Sequence, residues 1–136
     1  MRVLIDTDVL LDVALGREPW DEASGAFLDL CQQGGCTAFV AWHSISNLYY
    51  YLAGKRKQDA RAFIADLLAF VEVAPVAQQD MRFALEHDLP DFEDAMQVAA
   101  AVACRATRIV TRNLRHYKRA IVPAVAPGEL LEELRG

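Results

Sequence analysis

Cysteine is scarce and badly spaced for any cross-linked or zinc-bound scaffold. Cys31, Cys36 and Cys104 are odd in number, none sits in a CxxC pair, and His43, His87 and His116 are not placed to complete a tetrahedral site. They read as reduced packing residues. Long apolar runs are missing too: nothing approaches the roughly 20 residues that span a bilayer. The opening MRVLIDTDVLLD carries acids where a signal peptide needs uninterrupted apolar residues. A cytoplasmic protein with no membrane partner is the expectation. Repeats, linkers and low-complexity tracts are absent, so the 136 residues are expected to form a single domain, 1–136. At 54% hydrophobic and 24% charged, the composition excludes a disordered chain.

Net positive charge is also lacking. The formal charge of −5 by itself argues against a nucleic-acid partner. A local absence argues the other way: between Asp94 and Glu129 there is no acid, while Arg105, Arg108, Arg112, Arg115, Lys118 and Arg119 supply six of the fourteen basic residues. Lys55, Arg56, Lys57 and Arg61 form a second cluster. Such runs are usually solvated faces, but this degree of segregation suits a polyanion.

What is present alternates between strand and helix patterns. Val3-Leu4-Ile5 is a short apolar run that opens onto Asp6-Thr7-Asp8, as a buried parallel strand meets a helix start. Helical spacing then runs to Gly16, and Pro19 opens a second helix that Gly34-Gly35 stops. Strand two is expected over Thr37 to Ala41. Ser44 or Ser46 is expected to cap a helix ending near Gly54, with a further helix from about Gln58 to Phe70. Val71 to Val76, broken by Pro75, reads as a strand near a sheet edge. Helices follow from about Gln78 to His87 and from Pro90 to near Arg105. Strand four is expected over Thr107 to Thr111, a fifth within Ala120 to Val125, and a last helix from Pro127. This order implies an α/β sandwich on a parallel sheet of four to five strands. In such sheets ligands bind outside the carboxyl ends of the strands, which puts Asp6 and Asn113 on one rim.

Asp91 and Asp94 lie three apart at a helix start and so share a face near the positive end of the helix dipole. Capping explains them taken alone, and capping also explains Asp6 or Asp8. Convergence changes the weighing. Carboxylates drawn from distant parts of the chain to one partly buried rim repel one another unless a cation lies between them, and a hard divalent ion fits that need.

These segments resemble the PIN domains, and more closely their VapC-type toxin branch. The likeness runs from MRVLIDTDVLLDVALGREP through SISNLYYYL and DFEDAMQVAAAVACRATRIVTRNLRHY to VPAVAPGELL. It implies a three-layer α/β/α sandwich and a Mg²⁺- or Mn²⁺-dependent endoribonuclease. In-line attack by activated water would leave a 5′-phosphate and a 3′-hydroxyl. On this resemblance the metal is held by Asp6, Asp94 and Asp91, while Asn47 and Asn113 orient ligands or water and Thr111 supports the loop. Asp8 is a lesser candidate, and Ser46 either bonds Asp6 or merely caps its helix. Arg112, Arg115 and His116 flank the rim as RNA clamps or as solvated loop charge. Many PIN nucleases have a glutamate where this sequence has Asn47, a subgroup of the family shares an asparagine there, and no acid occurs between Asp29 and Asp59. Fewer charged ligands imply weaker metal binding. The resemblance also implies a small antitoxin partner and a homodimer. Trp42, Tyr49, Tyr50 and Tyr51 are expected mostly in the core or a dimer interface rather than stacked on bases.

Two other readings follow from the same residues. Asp6-Thr7-Asp8-Val9 imitates the opening of haloacid dehalogenase-like phosphatases, although the late acids lie on a helix start rather than after a strand. A PIN-like scaffold that binds RNA or protein without turnover is the second, motivated by Asn47.

Overall fold

The computed structural model describes residues 1–55 and 59–136; Arg56 and Lys57 of the second basic cluster, and the helix start expected at Gln58, lie outside the described residues. Five strands form one parallel sheet: β1 (Arg2–Ile5), β2 (Thr37–Val40), β3 (Val71–Val73), β4 (Arg108–Val110) and β5 (Ala124–Val125). Their spatial order is β3-β2-β1-β4-β5. The short β3 lies at an edge, as Pro75 predicts. β1 lies at the centre, with Ile5 in register with Val40 on one side and Val110 on the other.

Alternation along the strands divides the core in two. Val3, Ile5, Ala38, Val40 and Val110 face one side, where they pack against α1 (Thr7–Leu15), α2 (Trp20–Gln32), α3 (Trp42–Leu67) and α6 (Pro127–Arg135). Leu4, Phe39 and Ile109 face the other, against α5 (Phe92–Ala103), with α4 (Gln78–Glu86) packed on its outer side. The expected three layers are therefore present. Val3, Leu4 and Ile5 are all fully buried, which is why β1 reads as unbroken apolar sequence. Each such side chain contributes about 1.5–3 kcal/mol of transfer free energy.

Helix boundaries depart from expectation in one place. The two helices expected between Ser44 and Phe70 are a single helix of 26 residues. Gly54 does not end it because the apolar face continues from Leu48 and Leu52 to Ala60 and Leu67, all buried. That helix begins after Ala41, so Ser44 and Ser46 lie inside its first turns and neither caps it. By contrast Gly16 does end α1: it adopts φ 61, and its amide bonds the carbonyls of Asp12 and Val13. Trp42 and Tyr50 are 72% and 73% exposed and Tyr51 is exposed as well, so these three are not core. They lie off the Leu48–Leu52 face. Only Tyr49 packs against the core. The cysteines are buried free thiols, Cys31 and Cys36 on one side of the sheet and Cys104 on the other.

Candidate metal centre

Asp6 immediately follows the central strand and caps α1, its Oδ1 accepting the Thr7 amide at 2.7 Å. Its backbone amide continues the ladder to the Val110 carbonyl, which places the first residue beyond β1 beside the end of β4. There Thr111, fully buried, donates its hydroxyl toward Asp6 Oδ2 at 3.0 Å and Asp8 Oδ2 at 3.1 Å. Asp8, one residue into α1, also accepts from the Arg112 amide and, at 3.0 Å, from Asn113 Nδ2. Asn113 thus steadies Asp8 rather than standing free. The other Asp8 oxygen, Oδ1, is buried with no hydrogen-bond partner among the described residues.

The third acid arrives from the opposite layer. Asp94 is in the first turn of α5, whose cap is Asp91, with Asp91 Oδ1 accepting the Asp94 amide at 3.2 Å. One hydroxyl joins the two layers: Tyr117 Oη lies 2.9 Å from Asp6 Oδ2 and 3.3 Å from Asp94 Oδ1. His116 Nδ1 is 3.3 Å from Asp94 Oδ2. Both residues come from the 3₁₀ turn Leu114–Tyr117 that follows β4. Asp6, Asp8 and Asp94 therefore surround two shared hydroxyls. Asp91 is exposed and reaches the cluster only through Asp94.

This concentration of negative charge in a desolvated place raises its proton affinities. Burial pushes the Asp6 carboxyl above its ordinary value, against hydrogen bonds from Tyr117 and Thr111. Burial and then the charge of Asp6 push Asp8 up to about 6. Asp94 is raised by burial and by Asp91, partly offset by His116. Tyr117 is held in its protonated form by burial and by the acids around it.

The donor set fits a hard divalent cation. The central groups are oxygens, with the His116 imidazole at the edge: two carboxylates from different layers meet at one hydroxyl, and a buried Asp8 oxygen has no hydrogen-bond partner among the described residues. Among the described residues, no three acids or histidines stand at full ligation spacing. An ion here would be held by few protein groups and several waters, the usual situation of Mg²⁺.

The remaining expected site residues fall into distinct surroundings. Asn47 Nδ2 donates to Glu93 Oε1 at 2.8 Å, so an acid from α5 stands against this asparagine. Ser46 is exposed and is not among the donors to Asp6 given above. Its neighbour Ser44 is fully buried instead, receiving Thr7 Oγ1 at 2.8 Å and Gln97 Nε2 at 2.7 Å. Arg112 turns from the rim: its guanidinium grips the fully buried Asp12 through Nε at 2.7 Å and Nη2 at 3.3 Å and lies over Trp20, 4.1 Å from the ring centroid. Arg115 and His116 stay exposed, with Lys118, along a groove of about 390 Å³ that also includes Leu89, Pro90 and Asp94.

Sequence reasoning overlooked Tyr117, Asp12 and Gln97, and read Ser44 only as a helix cap. Only the i, i+4 placement of Asp8 and Asp12 on an apolar helix hinted at a second inward acid.

A parallel α/β sheet with acids gathered beyond its central strand defines a class of open α/β folds whose ligands bind outside the carboxyl ends of the strands. Within it, the family model for the PIN domain matches residues 2–115, and the chain belongs to that family. The phosphatase reading is thereby removed. No curated protein matches in sequence. Among solved structures, VapBC2 from Rickettsia felis, bound to a fragment of promoter DNA, matches with a TM-score of 0.73 at 16% identity, covering 93% of this chain and 98% of that one. FitAcB from Neisseria gonorrhoeae matches at 0.65 and 19% identity, covering 92% and 97%. VapC20 of Mycobacterium tuberculosis, described as a toxin cleaving the sarcin-ricin loop, matches at 0.62 and 16% identity, covering 79% and 86%. At these identities the likeness is one of fold.

Proposed function

We propose that this PIN domain is an endoribonuclease that works with Mg²⁺ or Mn²⁺ and is the toxin of a toxin-antitoxin pair. The observation that carries the reading is the meeting of Asp6 and Asp94, from opposite layers, at the Tyr117 hydroxyl. Asp6 and Asp94 hold the ion, with Asp91 and Asp8 adding negative charge beside it. A cation there supplies acidified water and the positive charge that phosphodiester hydrolysis develops a need for. Thr111 and Asn113 keep Asp6 and Asp8 in place, and Asn47 with Glu93 borders the site.

Arg115, His116 and Lys118 line the groove next to Asp94 and bind the phosphates of the RNA strand. Arg112 is reached by substrate only where Asp12 leaves it free, so its part is smaller. The toxin role draws on the likeness to VapC20, which is described as a toxin; a small antitoxin covering the rim and a homodimer belong to the same reading. A cytoplasmic setting accords with it, and among the described residues no helix is long and apolar enough to cross a membrane.

Purified protein incubated with single-stranded RNA and Mn²⁺ or Mg²⁺ is expected to cut it, and EDTA, Asp6→Ala or Asp94→Ala to abolish cutting. Cleavage indifferent to both substitutions would refute the site. A second reading, a binding scaffold of little turnover, is favoured by the Asn47 amide being taken up by Glu93. Metal binding without cleavage of any RNA offered would support it.

A further inference from the structure

We propose that Tyr117 is a positioning residue that sets Asp6 and Asp94 at the spacing a divalent cation requires; this rests on the metal-dependent reading above. Asp6 belongs to the end of β1 and Asp94 to α5, and nothing in the covalent chain fixes the gap between them. The Tyr117 hydroxyl spans that gap from a third element, the 3₁₀ turn after β4. The side chain is itself held: it is 2% exposed and packs in the core layer with Val98 and Ile109. Its oxygen is therefore a fixed point from which both carboxylates are measured.

The hydrogen-bond inventory shows what this does to Asp6. Oδ2 has the Thr111 and Tyr117 hydroxyls within hydrogen-bond distance, at 3.0 and 2.9 Å. Oδ1, among the described residues, receives the Thr7 amide alone, which leaves one of its lone-pair directions unused. A phenol has one proton, so it donates to one acid at a time and faces the other with its oxygen. The pair is consequently held close without being neutralised. Replacement by phenylalanine keeps the ring and its packing but lets Asp94 swing away and frees Asp6 Oδ2 to compete.

The test measures metal directly. Mn²⁺ titrated into the wild-type protein, followed by electron paramagnetic resonance, is expected to bind, and Asp6→Asn to prevent it. Tyr117→Phe is expected to weaken binding about 10- to 100-fold, as losing a group that orients a ligand does, with the melting temperature of the metal-free protein little changed. Mn²⁺ should also perturb the tyrosine ultraviolet difference spectrum of a variant carrying Tyr49→Phe, Tyr50→Phe and Tyr51→Phe, in which Tyr117 is the one tyrosine left, and the change should vanish when Tyr117→Phe is added. Unchanged affinity in Tyr117→Phe, or a silent spectrum in the triple variant while Mn²⁺ binds, would overturn the role of Tyr117 and leave the metal site standing. Wild-type protein that binds no Mn²⁺ would overturn both.

Discussion

The start of α1, with Asp6 at its cap and Asp8 in its first turn, and Asp12 one turn beyond Asp8 are two acidic regions that the protein treats in opposite ways. Asp12 is fully buried and receives a two-pronged guanidinium from Arg112, with Arg17 Nη1 a further 3.8 Å away. Asp6, buried, and Asp8, half-buried, receive hydroxyls and amides, and among the described residues no cation as close as Arg112 is to Asp12. Burial of charge is expensive in both cases. The first cost is met by a cation that is part of the chain. The second is left open, and the raised proton affinities of Asp6 and Asp8 record that it is open. A buried carboxylate with its own arginine builds structure, whereas one without is the kind that the proposed cation would serve.

The contrast can be broken most forcefully at Asp12. Asp12→Ala strands the Arg112 guanidinium in a half-buried place and should destabilise the fold by about 3–5 kcal/mol, read from urea unfolding. Asp6→Asn should do the reverse in protein stripped of metal: it removes a repulsive charge, so stability holds or rises while RNA cleavage falls by more than about 100-fold, beyond what loss of a mere supporting group brings. A stability loss at Asp6 as large as that at Asp12 would erase the distinction drawn here.

A change of pH sharpens it next. Asp8 binds its proton more tightly when folded, at about 6 against an ordinary value of 3.8. The folded state then carries more protons across that window, and stability falls as pH rises through it. Asp6 and Asp94 shift in the same direction. The melting temperature in EDTA should therefore climb as pH drops from 7 toward 5, and Mn²⁺ should flatten the climb by supplying the missing charge. A smaller effect is expected from Arg112→Lys, which keeps the charge but loses the fork, at about 1–2 kcal/mol. Smallest is Arg108→Ala, which removes an exposed pair with Glu133 at 3.3 Å and should cost no more than about 1 kcal/mol in the same unfolding experiment.

The difference between the two networks also marks how far the sequence could be read. Strand β1 and the site acid Asp6 were legible because three apolar residues ending in an acid form a local pattern. The pairing of α5 with its acidic first turn was legible for the same reason. Tyr117 was not, since a 3₁₀ turn of four residues has no periodicity to expose its inward side. Asp12 looked like an ordinary helix acid because its partner lies 100 residues further along. Ser44 and Gln97 find each other across 53 positions, and nothing near either predicts it. The unbroken α3 was hidden by Gly54 and the basic run after it, local signals that the continuous buried face outweighed.

The central place of β1 has a bearing on synthesis. Strand β1 is flanked by β2, available early, and by β4, which emerges about a hundred residues after it with Thr111 and Tyr117 behind it. Until then Asp6 has neither of the hydroxyls that hold it, and Asp94 has no neighbour to be measured against. A chain still on the ribosome would carry the acids without the arrangement, and its active form would come into being only as the last third of the polypeptide closes over the first strand.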